Sequence, residues 1–393
     1  MPASNLRNLL LICSSLMISI SSYAKIDLEK GNVVTLVGSG MGSRMVHYGH
    51  FETEIFLRFP NANLTIRNIC DEGNTPGFRP HPSREQQGQY AFPGANELIH
   101  KDLKAETKPE GHFPTPDQWL SSLKTDVVIC FFGFNSSFDG PRELNRFKKE
   151  LSGFLSHTKS MSYGQGNPKV VLISPTAIQS TPGVTSGKSQ NRNLKLYTDA
   201  MGEVAKVNGV LFIDTYTPST EWYKDGKAHS IDGALYNDHG YRKLATFLAD
   251  SIFPNSKIDE KLRNQVHEAV MDKNFYWLND YKVPNGVHVY GRRYNPFGPQ
   301  NYPYEIEKTR EYTRIRDEAI WSVLQNKPFD VKAAEAKSPK LPDVPTNYLP
   351  PEKNSKNGLV KYTPAPIAKT KIEVAKGYKI ELFADEKIFP DLA

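Results

Sequence analysis

The sequence predicts an α/β fold: a three-layer α/β/α sandwich built on a five-stranded parallel sheet. Two observations carry the prediction. Short β-rich apolar runs alternate with amphipathic helical stretches, the pattern of a parallel sheet covered by helices on both faces. The chain of 393 residues is also long enough to bury a full core without disulfides or metal. The strand-like runs are residues 33–37, 64–68, 126–132, 169–174 and 210–214. Helical patterns occupy 43–59, 117–124, 141–157, 192–208 and 240–252. With right-handed crossovers, ligands bind where strands end and helices begin, so the residues just after each run matter most.

Composition narrows the class further. Hydrophobic residues at 38% and charged residues at 23% form an ordinary globular balance, which excludes disorder over the whole length, collagen, coiled coil and a membrane bundle. The 27 Gly and 28 Pro point to a loop-rich build or a Pro-rich segment. The formal charge of +6 is spread along the chain rather than gathered into Lys/Arg blocks, so no nucleic-acid partner is expected.

Residues 1–24 read as an export signal: Arg7 supplies the positive start, Leu9 to Ile20 the apolar run, and Ser22-Tyr23-Ala24 a cleavage site. That run is too short to span roughly 30 Å of hydrocarbon, and no later stretch crosses a bilayer, so no membrane span is expected in the mature chain. The expected location is periplasmic or extracellular. Ile12 directly before Cys13 argues against a lipoprotein site. Only Cys70 and Cys130 then remain, expected as two buried free thiols, and two cysteines alone make no zinc site.

Beyond the predicted sheet domain at 30–256, residues 257–326 read as a helical and aromatic appendage. Helical patterns at 259–280 and 304–326 flank an aromatic loop at 281–303. Residues 327–370 shift to Pro, Lys and Ala and read as an extended linker. A strand-like tail at 371–383 follows, and 371–393 looks like the truncated start of a second module.

Chemistry is expected first at Gly38-Ser39-Gly40-Met41-Gly42-Ser43, where the first strand runs straight into a helix. Glycines there permit a tight turn and close backbone approach to a ligand. It is not a Walker loop, since no Gly-Lys-Ser/Thr follows, and the glycine spacing does not match the dinucleotide fingerprint. Ser39 and Ser43 also read simply as a turn residue and a helix N-cap. Comparable places are Asn68 to Thr75, Gly133-Phe134-Asn135-Ser136, and Ile231-Asp232-Gly233-Ala234-Leu235 before the last helix.

Together these positions resemble the four blocks of the SGNH (GDSL-type) hydrolases over residues 32–252, a flavodoxin-like α/β/α family. Gly73-Asn74-Thr75 matches the second block, Gly133-Phe134-Asn135 the third and Asp232 the fourth. The resemblance implies ester hydrolysis or deacetylation, on carbohydrate. A Ser would attack, a His oriented by Asp would take its proton, and the Ser backbone N–H, the Gly and the Asn would hold the oxyanion. Carried over residue by residue, Gly40 stands at the nucleophile position and Leu235 at the His position, while Gly73 and Asn135 are retained. Neither Gly nor Leu attacks a carbonyl or accepts a proton, and a nucleophile and its base act as a unit. The expectation is a catalytically degenerate domain acting as a binding module. The alternative is an ester hydrolase using a shifted Ser39 or Ser43 with His229 or His239. Those histidines also read as surface-loop residues, and Asp232 as a residue ordering its own loop. The expected partner is an acylated carbohydrate or other ester ligand, and no cofactor is expected.

Further segments, among them Arg44-Met45, Phe132 to Gly140, Tyr290-Gly291-Arg292-Arg293 and Gly377 to Ala384, resemble a subgroup of large exported bacterial proteins. In that subgroup the SGNH domain precedes a membrane-bound dehydrogenase-type β-propeller and often a haem domain. Both modules are taken to be missing from this chain, which has no Cys-x-x-Cys-His for haem. Tyr276, Trp277, Tyr281, Tyr290, Tyr294, Phe297, Tyr302 and Tyr304 beside Arg292 and Arg293 either line the pocket for a sugar or bury the appendage against the sheet domain.

Overall fold

The computed structural model describes residues 25–79, 89–101, 113–182, 187–254, 256–284, 286–291, 294–295, 298–342 and 363–385. The expected signal segment, with Arg7 and Cys13, lies outside the described residues.

Five strands form one parallel sheet: β1 (Val33–Gly38), β2 (Thr65–Asn68), β3 (Val127–Phe131), β4 (Lys169–Ile173) and β5 (Leu211–Ile213), in the order β2-β1-β3-β4-β5. Alternation along β3 explains the layering. Val127, Ile129 and Phe131 join a core with α2 (His50–Arg58) and α6 (Asp238–Ile252). Val128 and Cys130 face the opposite core, with α3 (Pro116–Leu123), α4 (Leu144–Ser160) and α5 (Gly187–Asn208). Since successive strand side chains point to opposite faces, two buried faces require unbroken apolar runs. Both cysteines are buried free thiols, and burial pushes each thiol above its ordinary range.

Several expected elements differ. The helix predicted over 43–59 is broken into α1 (Gly40–Arg44), a turn at Met45–His47, and α2. Gly49 sits between them at φ +61°, where an added Cβ would lie 2.7 Å from Met271 Sδ, so the break makes room for the appendage. The appendage consists of α7 (Arg263–Tyr281) and α8 (Gly298–Leu324), and α8 runs through Pro303 instead of starting at Tyr304. Residues 327–342, expected to be extended, include the helix α9 (Val331–Glu335), capped by Asp330 and tied to α8 by Arg316–Glu335 at 2.7 Å.

The chain divides into units 1–342 and 343–393. In the second, a helix at Ala365–Thr370 precedes residues with no strand among those described, so the strand expected at 371–383 is not formed. A single apolar stretch without a neighbouring strand leaves its backbone groups unpaired. No helix among the described residues is long and apolar enough to cross a membrane.

Candidate functional site

The strand order reverses direction between β1 and β3, and the loops leaving the strand ends converge there, as open α/β sheets require of their ligand crevice. Gly38 ends β1 at φ +128°. An added Cβ would lie 2.1 Å from the Phe131 carbonyl oxygen, so only glycine lets β1 and β3 run this close at the turn. The Gly38 carbonyl accepts the Asp71 N–H at 2.9 Å and the Asn74 side-chain amide at 3.0 Å. Asn135 in turn donates to the Asn74 carbonyl at 3.2 Å. The loops after β1, β2 and β3 are thereby tied to one another.

Between them lies a cavity of about 150 Å³. Ser39, Gly40 and Met41 line it from the first loop, Gly73 from the second, Phe134 and Asn135 from the third, and Ala234, Leu235 and Tyr241 from the end of the domain. Five of the positions singled out in the sequence, Ser39, Gly40, Gly73, Asn135 and Leu235, therefore surround one space. Its wall is mainly apolar. Gly73 and Asn135 both line the cavity, and the Asn135 amide, which gives one hydrogen to the Asn74 carbonyl, has a second hydrogen to offer.

The remaining candidates are placed elsewhere. Ser39 is buried, and its hydroxyl donates to the Phe131 carbonyl at 3.3 Å. Ser43 accepts from Lys282 Nζ at 2.9 Å; the same ammonium lies 2.8 Å from Asp71 Oδ1. Neither hydroxyl is hydrogen-bonded to a histidine. Asp232 accepts the N–H groups of Ala234 and Leu235 at 3.0 and 2.8 Å, which shapes the loop that presents Leu235. His229, read as an exposed loop residue, is instead fully buried. Its backbone N–H donates to Gln179 Oε1 at 2.9 Å, and its Nε2 sits 3.0 Å from Asp225 Oδ1. His239 is exposed on the first turn of α6 with its ring 4.8 Å from that of His229. Desolvation, then the neighbouring His229, holds its pKa below the ordinary histidine value. Neither histidine lines the cavity.

The described aromatic residues of the appendage also lie away from the cavity lining. Trp277 and Tyr281 are buried and donate to the Asn68 and Ile69 carbonyls, each at 2.8 Å. Tyr276 stacks under Arg316 with the guanidinium 3.7 Å from its ring centre, and Tyr304 is exposed. Arg292, Arg293 and Phe297 lie outside the described residues. Sequence reasoning missed Lys282 and Tyr241, which carry no local motif. Asn74 sat inside a recognised block, but its bridge to the Gly38 carbonyl appears only in the structure.

Fold and cavity thus define a class: a parallel α/β/α domain with an apolar crevice at its strand ends. No protein-family model and no curated protein matches the sequence. Among solved structures the chain is similar to a catalytic mutant of an acetylxylan esterase from Geobacillus stearothermophilus, at 16% identity and TM-score 0.41, over 58% of this chain and 98% of that one. It is also similar to a putative GDSL-like lipase from Parabacteroides merdae, at 13% identity and TM-score 0.42, over 58% and 99%. A third is a lipase/acylhydrolase from Enterococcus faecalis, at 16% identity and TM-score 0.38, over 58% and 99%.

Proposed function

We propose that this chain is an SGNH-type domain whose cavity binds a short acyl ester, an acetylated carbohydrate among them, without cleaving it. One observation carries the reading. Gly40 and Leu235, which stand at the nucleophile and base positions of the resembled family, both line the cavity beside Gly73 and Asn135. A glycine has no atom to attack with, and a leucine has no lone pair to accept a proton. The apolar wall suits an acyl chain, and the Asn135 amide suits its carbonyl oxygen.

The competing shifted-serine hydrolase rests on Ser39, which also lines the cavity. Its hydroxyl is turned to the Phe131 carbonyl, and no histidine shares the lining. A hydroxyl without a base within hydrogen-bond reach is a poor nucleophile. The test is hydrolysis of p-nitrophenyl acetate and acetylated xylo-oligosaccharides by the wild type, Ser39→Ala and Ser43→Ala. Turnover at the background rate in all three supports binding alone. Turnover abolished by either substitution would establish the hydrolase instead. Export belongs to the same proposal, and N-terminal sequencing of secreted protein beginning at Lys25 would support it.

A further inference from the structure

Away from the cavity lining, three potential metal ligands meet at the base of the loop that carries Ala234 and Leu235. Asp225 ends the short turn Tyr223–Asp225, His229 follows four residues later, and His239 stands on the first turn of α6. One donor atom from each of the three lies within 4.8 Å of the others. We propose that Asp225, His229 and His239 form a site for a divalent first-row transition ion, with zinc as the representative probe.

The donor set is the first argument. Two imidazoles and a carboxylate form a recurrent three-ligand set for such ions, with further positions left for water. The second is geometry. Ligands of a tetrahedral ion sit about 3.4 Å apart, given metal–ligand bonds of about 2.1 Å. His229 Nε2 is already 3.0 and 3.1 Å from the two Asp225 oxygens. Only His239 has to approach, and it is exposed and turns about its own side-chain bonds. The third is preorganisation. The His229 ring is buried, and its backbone is held from both sides, by Gln179 Oε1 on the N–H and by the Asn237 N–H on the carbonyl at 3.1 Å.

Two features limit the affinity. Lys243 Nζ lies 3.5 Å from Asp225 Oδ2 and competes with a cation, although both side chains reach solvent. His229 Nδ1 is buried without a hydrogen-bond partner, so the ring lacks the outer acceptor that usually orients a metal-bound imidazole. A dissociation constant in the micromolar range is therefore expected, rather than that of a closed structural zinc site. The ion would join both ends of the loop bridged at Ser230 and Tyr236, firming one wall of the cavity.

The experiment is calorimetric titration of chelator-stripped full chain, purified without a polyhistidine tag, with zinc chloride. Visible absorption with cobalt chloride reports the coordination. One saturable equivalent is expected, weakened at least about tenfold in both His239→Ala and Asp225→Asn. Both substituted side chains reach solvent, and thermal melting of the metal-free variants checks that they fold. No saturable binding, or binding that both folded variants retain at wild-type strength, would overturn the proposal.

Discussion

At position 40 a side chain would fit: a Cβ built on Gly40 meets nothing closer than Glu72 Cγ at 3.8 Å. Leu235 is partly solvent-exposed, so a larger polar ring is also tolerated there. If the cavity lacks only its nucleophile and base, the double substitution Gly40→Ser with Leu235→His should raise p-nitrophenyl acetate hydrolysis at least about tenfold. Either change alone should do nothing, since the two groups act as a unit. Gly38 is the opposite case. Gly38→Ala places a methyl group against the Phe131 carbonyl in a backbone conformation that L-residues avoid, and should cost about 3 kcal/mol in denaturant titration. Burial keeps the Cys70 and Cys130 thiols protonated at neutral pH, so neither should react with a thiol reagent until the chain is unfolded. At this scale, motif spacing singled out Gly40, Gly73, Asn135 and Leu235, which the fold brings to one cavity wall. The burial of His229 was not, because it depends on Gln179, fifty positions away in sequence.

Elements are joined by polar groups that no periodicity reveals. Helix α7 is fixed to α2 and β2 by Lys273, which is fully buried, paired with Glu52 and also donating to the Ile66 carbonyl at 3.2 Å. Lys273→Ala leaves the Glu52 carboxylate buried without its cation, with only the Asn274 amide still donating to it at 2.9 Å, and should destabilise the fold by about 3–5 kcal/mol, whereas an apolar replacement of both Lys273 and Glu52 should recover much of that loss. On the other face, Asp117 accepts from Tyr163 at 2.5 Å and pairs with His157 at 2.8 Å. Desolvation raises the Asp117 pKa, but the His157 and Tyr163 hydrogen bonds outweigh it, and the net shift is downward. A carboxylate depressed in the folded state stabilises above its unfolded pKa and loses that contribution as pH falls through the folded value. Asp117→Asn should therefore cost about 1 kcal/mol at neutral pH, with the difference from wild type vanishing in strong acid. Sequence periodicity located the longer helices α3 to α7, since each repeats its apolar residues on one face, but not the short α9 inside the stretch expected to be extended. It misplaced the break at Gly49 and the start of α8, because packing between α2 and α7 decides the former and Pro303 suggests a boundary that the fold does not use.

For the whole molecule, alternation of strand and helix was enough to anticipate a parallel sheet with two covered faces, since unbroken apolar strands admit few other arrangements. It also located the crevice, because loops at strand ends meet where the strand order reverses. The conformation of residues 371–383 was not legible, since an apolar stretch reads the same whether or not a neighbouring strand is there to pair with it. The central claim is the proposal about the crevice: that it binds an acyl group and does not cleave it, with Gly40 and Leu235 standing where an attacking oxygen and a proton acceptor would be needed. Fluorophosphonate labelling of the purified full chain, read by intact mass, tests this most directly. An unmodified mass after prolonged incubation is predicted, and one phosphonyl adduct per chain mapping to Ser39 or Ser43 would contradict the account.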